Sequence, residues 1–150
     1  MRLPLREVLA ELVAIPSVSG AEARAADFAQ ALLAEHGIAS ERIGDSVVAR
    51  VGRTPRQGGP RLLMNTHLDT VPAGAGWTRE PFAPTWEGER LYGRGSNDAK
   101  ASCAAMLAAL VELAGARDLA GEVLLALTAC EETSNTGMTA VVEHLGPPDG

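Results

Sequence analysis

Residues 122–130 read EVLLALTAC, an almost unbroken apolar run that leads directly into two acidic residues, Glu131 and Glu132. Such a run is typical of a parallel strand that is covered on both faces. The segments 61–65 (RLLMN) and 46–51 (SVVARV) predict two further strands. Because the predicted strands alternate with helical patterns, the sequence predicts an α/β fold with a mostly parallel or mixed sheet flanked by helices.

Four segments have the apolar spacing of helices. They are residues 5–13, 21–36, 98–114 and 138–145. Gly37 follows the second segment directly, where glycine commonly ends a helix. The predicted loops are residues 15–20, 52–60 and 70–84, and residues 86–92 predict a small hairpin.

The composition excludes several classes of function. The chain has 150 residues, 46% of them hydrophobic and 21% charged, which is ordinary for a soluble globular protein. A net charge of −6 argues against nucleic-acid binding, which needs clustered Lys and Arg. No apolar run approaches the roughly 18 residues that span a membrane, and no signal peptide is apparent, so a cytoplasmic location is expected. Cys103 and Cys130 suggest neither a disulfide framework nor a metal clip, and are expected to be small buried apolar residues.

The first polar cluster is NTHLDTVP at residues 65–72. His67 and Asp69 lie two positions apart, so in an extended segment they face the same side. Histidine is a common metal ligand, and a neighbouring carboxylate can accept its second ring N–H. The alternative interpretation is a solvated histidine at a polar strand end.

The second cluster is YGRGSNDAK at residues 92–100, in which Asp98 lies where the third helix is expected to begin. Asp98 fits two roles, a metal ligand or a helix N-cap. A phosphate-binding loop is a further candidate, but the segment lacks both GxGxxG spacing and a Walker lysine–hydroxyl pair.

The third cluster is the pair Glu131 and Glu132 at the exit of the apolar strand. Burying either carboxylate is costly unless positive charge lies nearby, whereas solvated charge at a strand exit is the alternative. A dication would account for both residues, one as a ligand and the other as a general base. A serine hydrolase is disfavoured by the lack of a GxSxG elbow, and pairing Cys130 with His67 would leave the glutamates unexplained.

Taken together, NTHLDTVP, LYGRGSNDAK and TACEETSNTGM resemble, in order and spacing, the three N-terminal signatures of the M20 zinc metallopeptidases and amidohydrolases. The similarity covers nearly the whole chain. It implies a zinc-peptidase-like three-layer sandwich with two zinc ions, for which cobalt can substitute. By resemblance, His67 ligates one zinc, Glu132 ligates the other and Asp98 bridges both. The resemblance also implies that Glu131 is the general base and Asp69 the partner of His67.

The resemblance implies removal of the acyl group from an N-acyl amino acid, a small-molecule substrate, with no nucleic-acid or membrane partner. An acetylornithine deacetylase is the main expectation, because GSNDA occurs together with Gly76-Trp77 and Pro81-Phe82. A succinyl-diaminopimelate desuccinylase or a metallocarboxypeptidase of the same family is the alternative. A further, non-enzymatic alternative is a domain that keeps the fold but has lost its metal. Two residues depart from the family pattern, Ala101 in place of a frequent Gly and Cys130 in place of an acidic or polar residue.

The resemblance also implies that residues 1–150 are a truncated, N-terminal part of the metal-binding catalytic domain. A further acidic ligand, a C-terminal histidine and a smaller lid and dimerisation domain are expected outside it, with a homodimer as the complete protein. The chain by itself is expected to be inactive. His36 and His144 are not expected to supply the missing ligands, because each falls in the last turn of a predicted helix, where it favours the helix dipole.

Overall fold

The fold is given by a computed structural model that describes residues 3–53 and 59–146. The helices are α1 (Leu5–Ala14), α2 (Ala23–Glu35), α3 (Lys100–Ala114) and α4 (Thr136–Leu145). The strands are β1 (Ser40–Ile43), β2 (Ser46–Gly52), β3 (Arg61–His67), β4 (Thr85–Glu87), β5 (Arg90–Tyr92) and β6 (Glu122–Thr128). Part of the predicted loop 52–60 lies outside the described residues. No described helix is both long enough and apolar enough to cross a membrane.

Four of the strands form one mixed sheet in the order β1-β2-β6-β3. Strand β6 pairs with β3 in parallel and with β2 antiparallel, and β1 and β2 form an antiparallel hairpin. Strands β4 and β5 form the separate small hairpin. The predicted α/β fold is therefore confirmed with a mixed sheet, in which the long apolar run is an interior strand.

Strand β6 is buried at every position because helices cover both faces of the sheet. Leu125 and Leu127 point into the main core, which is shared with α1, α2 and α3. Ala126 points the other way and packs with Val141 of α4. These two cores give the three layers that the family resemblance implied, and they explain why β6 shows no alternation of apolar and polar residues.

Helix α3 lies in the connection between the parallel strands β3 and β6 and packs on both. Its buried face includes Cys103, Leu107 and Leu110. Because β3 and β6 are parallel, their carboxyl ends meet at one edge of the sheet, where open α/β folds place their sites. The three polar clusters of the sequence all lie at that edge or at the start of α3.

The structure differs from the sequence-based prediction at several element boundaries. Strand β1 was not predicted, because its short sequence SERI is polar and half-exposed at the edge of the sheet. Strand β6 ends at Thr128 rather than Cys130, since Cys130 adopts a positive φ of 57° that turns the chain. Helix α2 begins at Ala23 rather than at 21, and α4 begins at Thr136 rather than at 138.

Both remaining histidines lie at helix ends, as predicted. His36 follows α2, and its Nδ1 lies 2.8 Å from the carbonyl of Leu32. Gly37 comes next with a φ of +71°, which suits a glycine that ends a helix. His144 lies in the last turn of α4, with Nε2 2.7 Å from a carboxylate oxygen of Glu41. Neither belongs to a metal-binding group among the described residues.

Candidate metal centre

The three predicted metal ligands lie together at the carboxyl edge of the sheet. His67 is the last residue of β3, Asp98 lies just before α3, and Glu132 follows β6. One ligand atom from each side chain lies within 4.8 Å of the other two. Within residues 3–53 and 59–146, this is the only group of His, Cys, Asp or Glu with such geometry.

The ring of His67 is oriented for metal binding. Its Nδ1 lies 3.0 Å from the backbone oxygen of Asp69, and because a carbonyl only accepts, Nδ1 carries the proton. The other nitrogen, Nε2, faces Asp98 Oδ1 at 3.2 Å and Glu131 Oε2 at 3.8 Å. The hydrogen bond at Nδ1 thus selects the tautomer whose Nε2 lone pair points at the carboxylates.

Asp69 connects His67 to the turn that follows β6, and it is fully buried. Its Oδ1 lies 3.4 Å from His67 Nδ1 and accepts a 3.0 Å hydrogen bond from the amide of Glu131. Its Oδ2 accepts the amide of Glu132 at 3.0 Å and the hydroxyl of Ser19 at 2.7 Å. The predicted contact with His67 is present, although the shorter contact is to the Asp69 backbone rather than to its carboxylate.

The structure distinguishes between the two roles that were open for Asp98. Helix α3 begins at Lys100 with Ala99 as its N-cap, and no side chain caps the helix. The Asp98 side chain is 75% exposed and points instead towards His67. The Asp98–Ala99 peptide bond is cis. The Asp98 carboxylate therefore lies beside His67 and does not cap α3, which excludes the cap and leaves the ligand role as a prediction.

Lys100 excludes the phosphate-binding alternative for the same loop. Its side chain is fully buried, and its Nζ donates to the carbonyls of Leu12 at 2.8 Å and Ile15 at 2.6 Å. Burial lowers the pKa of Lys100 to about 8. Because the ammonium group satisfies carbonyls at the end of α1, it is not available to a phosphate, and its role is structural.

The two cysteines have environments opposite to that of a nucleophilic thiol. Cys103 is buried and donates through Sγ to the carbonyl of His67 at 3.1 Å, and burial raises the pKa of its thiol to about 12. Cys130 is only half-buried, which corrects the expectation of a buried residue. Burial, and then the charge of Glu22, raise the pKa of Cys130. A reactive thiol needs a lowered pKa, so both residues argue against a cysteine hydrolase.

The exposed carboxylates of the site have no Lys or Arg partner within the part of the chain that the structure describes. Among the described residues, Asp98 and Glu131 come within ion-pair distance of His67 but not of any Lys or Arg. Like charges held this close repel each other unless a cation intervenes. An imidazole nitrogen with several carboxylate oxygens is a ligand set that zinc accepts. The residues therefore fit a dication.

Comparison with known proteins agrees with this geometry. The family model described as peptidase family M20/M25/M40 matches residues 63–150, the part of the chain that holds every proposed ligand. The chain belongs to this family. The M20 resemblance of the three sequence segments is thereby confirmed.

Individual relatives and structures cover almost all of the chain. A succinyl-diaminopimelate desuccinylase of Rhizorhabdus wittichii is 38% identical over 89% of the chain and 36% of its own length. One of Sphingopyxis alaskensis is 37% identical over 93% of the chain and 38% of its own length. The structure of human carnosine dipeptidase 1 superposes with a TM-score of 0.77 and 26% identity, over 93% of the chain and 34% of that protein.

Two facts follow from these relatives. The chain spans little more than a third of the length of the curated relatives. Both relatives also have the name of the alternative activity, the desuccinylase, rather than that of the deacetylase that was the main expectation.

Sequence reasoning missed the residues that support the site from outside. Ser19 binds the carboxylate of Asp69, Glu22 binds the amide of Cys130 and Ser46 binds the amide of Ala129. Residues 15–20 were interpreted only as a breaker loop, yet Val18 forms a parallel bridge with Thr70. The one available signal was the small, polar composition of that loop, which does not reveal its distant partners.

Proposed function

We propose that the protein containing this chain is a two-zinc amidohydrolase that removes the succinyl group from succinyl-diaminopimelate. The observation that carries the proposal is the convergence of His67, Asp98 and Glu132 around a space that Glu131 also borders. The names of the relatives favour the desuccinylase over the deacetylase. Acetylornithine deacetylase, the main expectation from the sequence, becomes the second candidate.

The proposed roles combine the family resemblance with the convergence of the side chains. His67 would hold one zinc through Nε2, Glu132 would hold the other, and Asp98 would contribute to both. Zinc held there would supply Lewis-acid chemistry, which activates water and stabilises negative charge on the amide oxygen of the substrate. Asp69 keeps His67 in the required tautomer through the contact at Nδ1.

Glu131 is the proposed general base, and three observations support this role. Its side chain is 49% exposed, so it can meet a substrate, and its Oε2 lies 3.8 Å from His67 Nε2, close to the ligands without being one of the three. Its backbone is fixed by the bond from its amide to Asp69. Glu131 takes a proton from water and passes it to the leaving amine.

We further propose that the chain is the N-terminal part of the catalytic domain of a cytoplasmic homodimer. Strand β3 is at the edge of the described sheet and exposes Leu62 (58%) and Leu63 (38%). An exposed apolar edge strand invites further pairing, so additional strands of a longer protein would cover it.

The chain alone is expected to bind zinc weakly and to show little or no turnover. Three protein ligands shared between two ions give each ion two, whereas catalytic zinc sites have about three. Zinc affinity is measured by calorimetric titration. Turnover is measured by an amide-hydrolysis assay with and without the rest of the protein. Robust zinc-dependent hydrolysis by the chain alone would contradict the proposed need for further ligands.

The division of roles between the paired glutamates is tested in the complete enzyme. Glu131→Gln should retain zinc and lower turnover by about 100-fold or more, because proton transfer contributes about that much. Glu132→Gln should instead weaken zinc binding. Both variants keep the size of the side chain and replace one acceptor oxygen with an NH2 donor, so each serves as the control for the other. Identical behaviour of the two would refute the assignment.

The substrate is tested with the complete enzyme on N-succinyl-diaminopimelate, N-acetylornithine and a dipeptide. The proposal expects the highest kcat/KM for the succinylated compound. A preference for N-acetylornithine would establish the second candidate, and a preference for the dipeptide would point to a peptidase.

A further inference from the structure

Four successive backbone amides after β6 are each bound by a side chain from a distant part of the chain. We call residues 129–132 the ligand turn, because it ends at Glu131 and Glu132. The amide of Ala129 binds Ser46 Oγ at 3.1 Å, and that of Cys130 binds Glu22 Oε1 at 2.9 Å. The next two amides bind the two carboxylate oxygens of Asp69, each at 3.0 Å.

The backbone of the ligand turn depends on these acceptors. Cys130 has a φ of 57°, which for a residue with a Cβ costs roughly 1–2 kcal/mol. Successive amides of a tight turn that point to one side favour anions. Here the anions are the buried carboxylates of the protein itself, and they hold the turn in a conformation that it would not otherwise prefer.

Glu22 is the less expected of the two carboxylates. It is 1% exposed and precedes α2, yet its side chain does not cap that helix. Its Oε1 accepts the amides of Gly20 at 3.0 Å and Cys130 at 2.9 Å. Its Oε2 is buried without a hydrogen-bond partner among the described residues. A buried carboxylate that is only half satisfied is unfavourable for stability, so stability alone does not account for it.

We propose that Glu22 is a positioning residue of the metal centre. Its carboxylate holds the ligand turn at Cys130 while Asp69 holds the next two amides, so that Glu131 and Glu132 leave the turn towards His67. Glu22 touches none of the ligand atoms and acts only through the backbone. This inference rests on the proposed function, because it assigns Glu22 to the metal site proposed there.

Glu122 provides a matched control at the other end of the same strand. It is also a buried carboxylate, 3% exposed, but its partner is the Arg61 side chain, with Nε at 2.9 Å. Removal of Glu122 should disturb the sheet without reaching the ligand turn. A loss of metal affinity that is specific to Glu22 therefore separates positioning from general stabilisation.

The experiment is a Co²⁺ titration of the complete protein, which supplies the further metal ligands, followed by visible absorption, on the parent and four variants. Glu22→Leu removes both acceptor oxygens and should weaken Co²⁺ binding by about 10- to 100-fold, as loss of a residue that supports a metal ligand typically does. Glu22→Gln keeps the Oε1 acceptor and should bind almost as the parent does. Glu22→Asp, which shifts the acceptor, should lie between them, and Glu122→Leu should match the parent. Amide hydrogen exchange at Cys130 should be faster in Glu22→Leu and unchanged in Glu122→Leu.

The outcomes separate this inference from the proposed function. A complete parent protein that binds no Co²⁺ would overturn the metal site, and this inference with it. If a folded Glu22→Leu variant bound Co²⁺ as tightly as the parent, the positioning role alone would be overturned. Equal losses of affinity in Glu22→Leu and Glu122→Leu would overturn it as well. Should Glu22→Leu not fold, the Asp and Gln variants decide: equal affinity in both would refute the inference, and weakening in Asp alone would support it.

Discussion

The two ends of the β3–β6 strand pair bury carboxylates in different ways. At the amino end, Glu122 is paired with the guanidinium of Arg61. At the carboxyl end, Asp69 and Glu22 are bound by backbone amides and a hydroxyl, without a Lys or Arg. The strand pair therefore has an ion pair between side chains at one end. At the other end, backbone amides donate hydrogen bonds to the buried carboxylates.

The difference indicates which end is suited to a cation. The ion pair at the amino end is electrically complete. At the carboxyl end, the buried carboxylates orient the turn but bring no positive charge with them, so the more exposed acids Asp98 and Glu131 face only His67. A site that binds a metal must leave part of its negative charge unpaired, and backbone amides hold its supporting carboxylates without supplying a full countercharge.

The largest effect on folding is expected from Asp69→Ala. The substitution removes the acceptor of two part-buried amides and of Ser19 Oγ, and should lower the free energy of unfolding by roughly 3 kcal/mol. Glu122→Ala should cost less, because Arg61 is partly exposed and can be hydrated. Urea denaturation of both variants measures the difference. Equal costs would mean that the two ends are stabilised to the same extent.

Close backbone contact at each end gives a second test of the comparison. A Cβ on Gly137 would lie 2.3 Å from the carbonyl oxygen of Ala129, and one on Gly121 would lie 2.0 Å from that of Pro60. Gly137→Ala and Gly121→Ala should each cost about 2 kcal/mol, since overpacking typically costs 1–3. Only Gly137→Ala should also weaken Co²⁺ binding, because it alone displaces the ligand turn.

The control for these substitutions is Gly115→Ala. A Cβ at that position meets its nearest neighbour at an ordinary 3.5 Å, and Gly115 has a φ of −84°. The midpoint temperature of thermal unfolding of Gly115→Ala should match or slightly exceed that of the parent. Weaker Co²⁺ binding in Gly121→Ala would contradict the separation of the two ends.

The smallest effect concerns the thiols, one on each side of His67. Cys103 is buried with its pKa raised to about 12, whereas Cys130 is half-buried in the ligand turn. A thiol reagent at neutral pH should therefore label Cys130 slowly and Cys103 only after unfolding. Mass spectrometry of the labelled chain distinguishes the two, with urea-unfolded protein as the control. Rapid labelling of native Cys103 would show that the core beneath His67 opens readily.

The sequence predicted those parts of the fold that leave a pattern among neighbouring residues. The run 122–130 is apolar because both faces of β6 are covered, so its burial was visible in the pattern. The convergence of His67, Asp98 and Glu132 could be predicted because each lies at a strand end or before a helix at the same edge. Strand β1 was missed because an edge strand of four residues has too little apolar burial to leave a pattern.

The rest of the site depends on contacts between residues far apart in the chain. Glu22 lies 108 residues before the amide that it binds, and nothing in the neighbourhood of either indicates the other. The role of Asp98 stayed open for a similar reason, because an aspartate before a helix fits a cap as well as a ligand. Only the direction of its side chain distinguished the two.

The position of β6 also has a consequence for how the chain acquires its structure. Strand β6 is the last strand along the chain but lies between β2 and β3, which do not pair with each other. Its pairing with β3 already joins residues 61 positions apart, and that with β2 spans more. Bringing such distant segments together costs loop-closure entropy before any contact compensates for it, so folding is slow compared with that of a helical bundle. Within the described residues, β6 is the only strand that pairs with both the β1–β2 hairpin and β3. We therefore expect the sheet and the candidate site to form together, when residues 122–128 insert.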